Sequence, residues 1–236
     1  MDNLINKLST FSGGKVLDVA TGRGEFIRHL KAYLKDYDEI IGIDHMKRAI
    51  EHCEEQFKES DIYFKQMDAE SLDYDNDVFD TVCISNSIHH LPNKEAVLME
   101  MKRVLKPGGR FIIVEMFSDN QTPEQMSHVK LHHFSAQIDQ ALGSYHEETY
   151  TRTHILNIGN KIELSNVEVF DYAHSQKDPK EEKLINHLTS LCDQLLARVK
   201  KHENYDQYNE KCEMTKNWIR ENGFSSATEL FILGDK

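Results

Sequence analysis

Short apolar runs alternate with segments of helical periodicity over the first half of the chain, and this alternation constrains the fold more than any other feature. Residues 15–20, 39–44, 62–67, 79–84 and 110–115 are the apolar runs, the pattern of strands buried on both faces. Residues 25–35 carry Phe26, Ile27, Leu30 and Leu34 at helical spacing, and 46–57 form a second helical segment. A third, capped by Asn93 and running to residue 105, presents Val97, Met101 and Val104 inward; the KPGG stretch at 106–109 stops it. Strands and helices in this order build a parallel sheet covered on both sides, a doubly wound α/β domain.

The pattern changes after Ser118. TPEQ at 122–125 is a capping box with proline at the first helical position, opening a helix to about residue 142. A short helix is expected at 151–160, and VEVFDY at 167–172 alternates like a strand. DPKE at 178–181 opens a long helix with Leu184, Leu188, Leu191, Leu195 and Val199 on one face. A second helix, with Tyr208, Cys212 and Ile219, runs to about residue 222, where Gly223 ends it. TELFIL at 228–233 is a last strand. The two late strands are expected to pair antiparallel at a sheet edge, with the helical hairpin at 178–222 inserted between them. Its apolar face, which includes Trp218, is expected to pack within the chain; monomer and homodimer both remain open.

Twenty-eight basic residues against forty acidic ones give a net charge of −12 over 236 residues. That balance repels a polyanion, so nucleic acid is not an expected partner. No apolar run approaches the ~20 residues needed to cross a bilayer, and the opening residues lack the apolar stretch of a secretory signal. Four cysteines, none in a Cys-x-x-Cys pair, read as reduced thiols of a cytoplasmic protein.

The chemistry concentrates at the carboxyl ends of the strands. The first runs straight into DVATGRG at 18–24, where small residues let a ligand approach the backbone. A dinucleotide fingerprint would read Gly-x-Gly-x-x-Gly. Here the small residues Ala20, Gly22 and Gly24 alternate and the carboxylate of Asp18 precedes them, which suits an amine-bearing ligand and repels a diphosphate. Asp44 ends the second strand about 20 residues further on, where a carboxylate can accept both hydroxyls of a ribose. Asp68 follows the third strand, placed to accept the exocyclic amine of an adenine. Taken singly, Asp44 could cap a helix and Asp68 could close an Asx turn; together they point to an adenosine.

These stretches resemble the class I methyltransferases that use S-adenosylmethionine. VLDVATGRG at 16–24 is similar to their first motif, GIDHM at 42–46 to the second and MDAE at 67–70 to the third. FDTVCISNSIHHL at 79–91 is similar to the fourth, and LKPGGRF at 105–111 to the fifth. The likeness covers roughly residues 10–117 and the last strand, and is nearest to small-molecule enzymes of the quinone-biosynthesis type. It implies a Rossmann-like seven-stranded sheet with an antiparallel last strand. It divides the chain into a cofactor-binding core at 1–117, a helical lid over the acceptor site at 118–150, and the rest of the sheet with the hairpin at 151–236. It places Ala20, Thr21, Gly22 and Gly24, with Asp18, around the methionyl part of S-adenosylmethionine. Asp44 would hold the ribose, His45 and Met46 the adenine edge, Asp68 and Ala69 the adenine itself, and Ser85 or Asn86 the pocket floor. Ala20 departs from the family, which more often has glycine there.

Methyl transfer from a sulfonium is an in-line displacement that needs a base only if the acceptor arrives protonated. His89 and His90, just past the fourth strand, are the candidate catalytic bases, against a packing role for one and a wall role for the other. No Asn-Pro-Pro-Tyr-like motif stands there, which argues against amine methylation of nucleobases. His128 and His132 share a helix face, and Tyr145 and His146 follow; these are the candidate acceptor contacts. The same histidines could ligate a metal with His146 or Glu147 completing the set, but a surface or acceptor-lining stripe accounts for them and no metal is assigned. The expected function is methyl transfer from S-adenosylmethionine to an unidentified small molecule. A non-catalytic module binding the cofactor or its demethylated product, or an RNA or protein methyltransferase, remain the alternatives.

Overall fold

Seven strands form one sheet: β1 (Lys15–Val19), β2 (Glu39–Asp44), β3 (Ile62–Gln66), β4 (Phe79–Ser85), β5 (Leu105–Met116), β6 (Ser165–Tyr172) and β7 (Glu229–Asp235). Their order is β3-β2-β1-β4-β5-β7-β6. The first five are parallel, and β7 lies antiparallel between β5 and the edge strand β6. The computed structural model describes residues 6–58, 61–173 and 178–236; the first five residues of the opening segment lie outside them. The helices are α1 (Glu25–Tyr33), α2 (Lys47–Gln56), α3 (Lys94–Val104), α4 (Pro123–Ala141), α5 (Arg152–Asn160), α6 (Glu182–Ala197) and α7 (Tyr205–Asn222). None of the described helices is long and apolar enough to cross a membrane.

Alternate side chains of the strands feed two cores. Leu17, Val19, Ile41, Ile43, Val82, Ile84, Phe111 and Ile113 pack under Val97 and Met101 of α3 and Ile155 and Ile158 of α5. Val16, Ile40, Cys83, Ile112 and Val114 pack on the other face beneath Phe26, Ile27 and Leu30 of α1 and Cys53 of α2. Burial of each large aliphatic side chain contributes roughly 1.5–3 kcal/mol, so the central strands are the rigid frame on which their carboxyl ends are held.

A third core joins the later helices. Leu131, Phe134 and Ile138 of α4 meet Leu188, Cys192, Leu195 and Val199, with Cys212 and Ile219. The indole N–H of Trp218 donates to the carbonyl of Pro123 at 3.0 Å. The hairpin therefore spends its apolar face on α4. Leu142, just past the end of α4, is 47% exposed.

Element boundaries departed from the periodicity in two places. The DPKE segment forms a turn, its Lys180 N–H donating to the Asp178 carboxylate at 3.0 Å, so α6 starts later, at Glu182. The KPGG stretch ends α3 as expected but already belongs to β5, because Leu105 pairs with Phe79 before the register shifts. The capping box at Thr122 formed in full: Gln125 N–H donates to the Thr122 hydroxyl, and Thr122 N–H donates to the Gln125 side chain.

Candidate functional site

The loop after β1 turns at Ala20 with φ of 54°, and at Gly22 with φ of 54°. Such left-handed backbone favours glycine, so alanine at position 20 holds some strain. A Cβ added at Gly22 would meet nothing within 4 Å, so the loop there borders open space. Thr21 N–H donates to the Ile43 carbonyl at 2.8 Å, laying the loop against the end of β2.

Asp44 fixes this arrangement. One carboxylate oxygen accepts the Gly22 N–H at 2.9 Å, the other the Met46 N–H at 2.8 Å. Each oxygen retains acceptor capacity, and the side chain borders a cavity of about 1000 Å³. Asp68 closes an Asx turn by accepting the Glu70 N–H at 2.9 Å and borders the same cavity. Asp68 thus fills the Asx-turn role that spacing allowed, whereas Asp44 does not cap α2, whose N-cap is Met46 without a side-chain cap; both aspartates still border the cavity.

The cavity brings together most of the residues singled out from sequence: Ala20, Gly22, Asp44, His45, Met46, Asp68, Ala69, Asn86, His90, Tyr145 and His146. Met46 is 53% exposed and Tyr145 43%, leaving two large apolar surfaces at this one cavity. Asn86 is held from behind: its side-chain oxygen accepts the Met116 N–H at 2.8 Å and its amide donates to Glu229 at 2.5 Å.

Other assignments need correction. Asp18 does not border the cavity. It is 1% exposed, accepting the Thr21 hydroxyl at 2.6 Å and lying 3.4 Å from the Cys83 thiol. Burial, with a smaller contribution from Asp44, pushes its carboxyl up to about 6. Thr21 is buried with it and does not border the cavity. Gly24 serves packing: its φ is 77°, and an added Cβ would stand 2.6 Å from the Phe57 ring. Ser85 gives way to Ser87 in the cavity wall, with the Ser87 hydroxyl donating to the Ser85 carbonyl at 2.8 Å.

The histidines divide unexpectedly. His128 Nδ1 accepts the Ala227 N–H at 3.0 Å, away from the cavity. His132 and His89 also stand behind the wall rather than in it. They form a continuous series: His89 Nδ1 donates to Glu115 at 2.5 Å, and His89 Nε2 lies 3.0 Å from His132 Nε2. His132 Nε2 is 3.3 Å from His146 Nε2, and His146 Nδ1 donates to Asp139 at 2.8 Å. Arg198, the C-cap just past α6, holds the other Asp139 oxygen at 2.7 Å. Burial lowers the pKa of His132 to about 2, with neighbouring histidines adding to it. Burial also lowers His146, against the pull of Asp139.

Sequence reasoning missed Glu115, Ser87 and Arg198. Glu115 carried a signal: a carboxylate ending the otherwise apolar FIIVE stretch of a central strand, and it is fully buried. Arg198, at a helix end far along the chain, carried none.

A family model described as a methyltransferase domain matches residues 10–211. The chain is 31% identical over 134 residues to the ubiquinone/menaquinone biosynthesis C-methyltransferase UbiE of Geotalea daltonii, covering 55% of each. It is 33% identical over 113 residues to the demethylmenaquinone methyltransferase of Staphylococcus carnosus, covering 48% of this chain and 47% of that one. The chain thus spans about half the length of these curated relatives. A solved putative methyltransferase from Bacillus halodurans shares the fold with a TM-score of 0.61 at 16% identity, over 99% of this chain and 97% of that one. With the five parallel strands, the antiparallel β7 and the match over most of its length, the chain belongs to the methyltransferase-domain family and has its Rossmann-like fold.

Proposed function

We propose that the protein transfers a methyl group from S-adenosylmethionine to a small molecule. One observation carries this reading: Asp44 and Asp68, at successive strand ends, border one cavity with the Ala20–Gly22 loop, the position where doubly wound sheets take nucleosides. S-adenosylmethionine, when bound, supplies the electrophilic methyl carbon. Gly22 leaves the backbone open to a close approach, Asp44 offers acceptors to ribose hydroxyls, and Asp68 with Ala69 borders the base. Met46 contributes apolar cover. Asn86, Ser87 and His90 lie between this region and the segment carrying Tyr145 and His146, which serves as the wall of the acceptor site with α4 as its lid. The protein's part in the reaction is alignment and exclusion of water around a displacement whose chemistry the cofactor provides.

A small acceptor suits the acidic balance of the chain, which gives a polyanionic substrate no general attraction. The four cysteines are all buried free thiols, compatible with a cytoplasmic location. The test is turnover: incubation with methyl-labelled S-adenosylmethionine and a pooled metabolite extract, followed by product detection. Label in a small-molecule product supports the reading. Cofactor binding with no label transferred favours a non-catalytic module, and label in RNA or protein favours a macromolecular acceptor.

A further inference from the structure

We infer that His89, His132 and His146, with His90 on the cavity side, form a binding site for one divalent transition metal ion such as Zn2+. One ring nitrogen from each of the four lies within 4.8 Å of the others. The Nε2 atoms of His89 and His132 are 3.0 Å apart, and those of His132 and His146 are 3.3 Å apart. Nitrogen ligands about 2.0–2.1 Å from a tetrahedral Zn2+ stand roughly 3.3 Å from one another. The two spacings at His132 are therefore close to a metal's coordination edge, and the other donors lie within 4.8 Å.

The proton count supports the same conclusion. Glu115 takes the Nδ1–H of His89 and Asp139 takes that of His146, so a neutral ring leaves each Nε2 as a bare lone pair. Both face His132 Nε2, which has one proton at most to offer. The Nδ1 of His132 is buried without a hydrogen-bond partner, so no neighbour fixes its tautomer, and its Nε2 is free to be bare as well. A cation satisfies all three lone pairs, where a proton satisfies at most two. The carboxylates behind His89 and His146 are the usual outer partners of metal-bound imidazoles, setting the tautomer and raising ligand basicity. An all-imidazole donor set suits zinc and its neighbours rather than magnesium or calcium. By contrast, the grouping of Asp193, Cys212 and Glu213 already has a cation: Lys216 lies 2.7 Å from Asp193 and 2.8 Å from Glu213.

The donors come from the turn after β4, from α4 and from the segment after it, so a bound ion would fasten the helical cover to the sheet. His90 and His146 also border the neighbouring cavity, whereas His89 and His132 stand behind its wall. The test is calorimetric titration of the chelator-treated protein with Zn2+, together with cobalt substitution read by visible absorption. The expected result is one equivalent bound, a tetrahedral cobalt spectrum, and affinity reduced at least about 100-fold in His132→Ala. His128→Ala, whose imidazole serves Ala227, is expected to bind as the wild type does. Where His132→Ala does not fold, His146→Gln repeats the measurement. Absence of zinc binding to the wild type, undiminished affinity in the folded variant, or an equal loss in His128→Ala would overturn the site. S-adenosylhomocysteine affinity of the metal-free protein, measured alongside, reports on the cavity separately.

Discussion

Oε1 of Glu115 lies 2.5 Å from Nδ1 of His89, and neither side chain has more than 1% of its surface exposed. The second carboxylate oxygen accepts the Ile88 N–H at 3.1 Å. A single side chain at the end of β5 thus fixes both the turn after β4 and the ring orientation of its first histidine. Glu115→Ala leaves two buried donors unpaired and is expected to lose about 2–4 kcal/mol of stability, whereas Glu115→Gln, which still offers an acceptor, loses less. Urea unfolding of the two variants checks this; equal losses would contradict it.

Gly22 and Gly24 look equivalent in sequence but differ in surroundings. Gly22→Ala meets open space and is expected to cost only about 1–2 kcal/mol for its left-handed backbone. Its larger effect falls on cofactor affinity. Gly24→Ala adds a clash with Phe57 to the same backbone cost and is expected to lose about 2–4 kcal/mol. Chemical denaturation ranks the two, and a larger loss at Gly22 would count against the packing role of Gly24.

The raised carboxyl of Asp18 makes stability depend on pH. Burial pushes it up to about 6, against about 3.9 in an unfolded chain. Between these values the folded state binds more protons, so stability falls as pH rises from about 4 to 6 and then levels off. The full penalty is on the order of 3 kcal/mol at neutral pH, and none of it remains below the unfolded value. Asp18→Asn is expected to remove this fall, seen as a flatter pH profile of unfolding than the wild type. Parallel profiles would contradict the burial of an ionisable group there.

Much of the fold could be read from residue order because the runs at 40–43 and 111–114 are too continuously apolar for anything but central strands. Asp44 and Asp68 were legible for the same reason, each standing where a strand ends. Position alone did not tell that the Asp18 side chain lies beneath the loop, buried and away from the cavity wall. His128 and His132 share a helix face, yet four residues separate them by about 6 Å along the axis, enough for one to reach Ala227 and the other His89. The pairing of His89 with His132 and of Asp139 with Arg198 crosses long stretches of chain, and no local periodicity encodes it.

Calorimetric titration with S-adenosylhomocysteine, comparing wild type with Asp68→Ala and Asp44→Asn, tests the adenosine site most directly. Saturable one-to-one binding weakened at least about tenfold in either variant, the loss of one good polar contact, is the predicted result. No binding by the folded wild-type protein, or equal affinity in all three proteins, would contradict it.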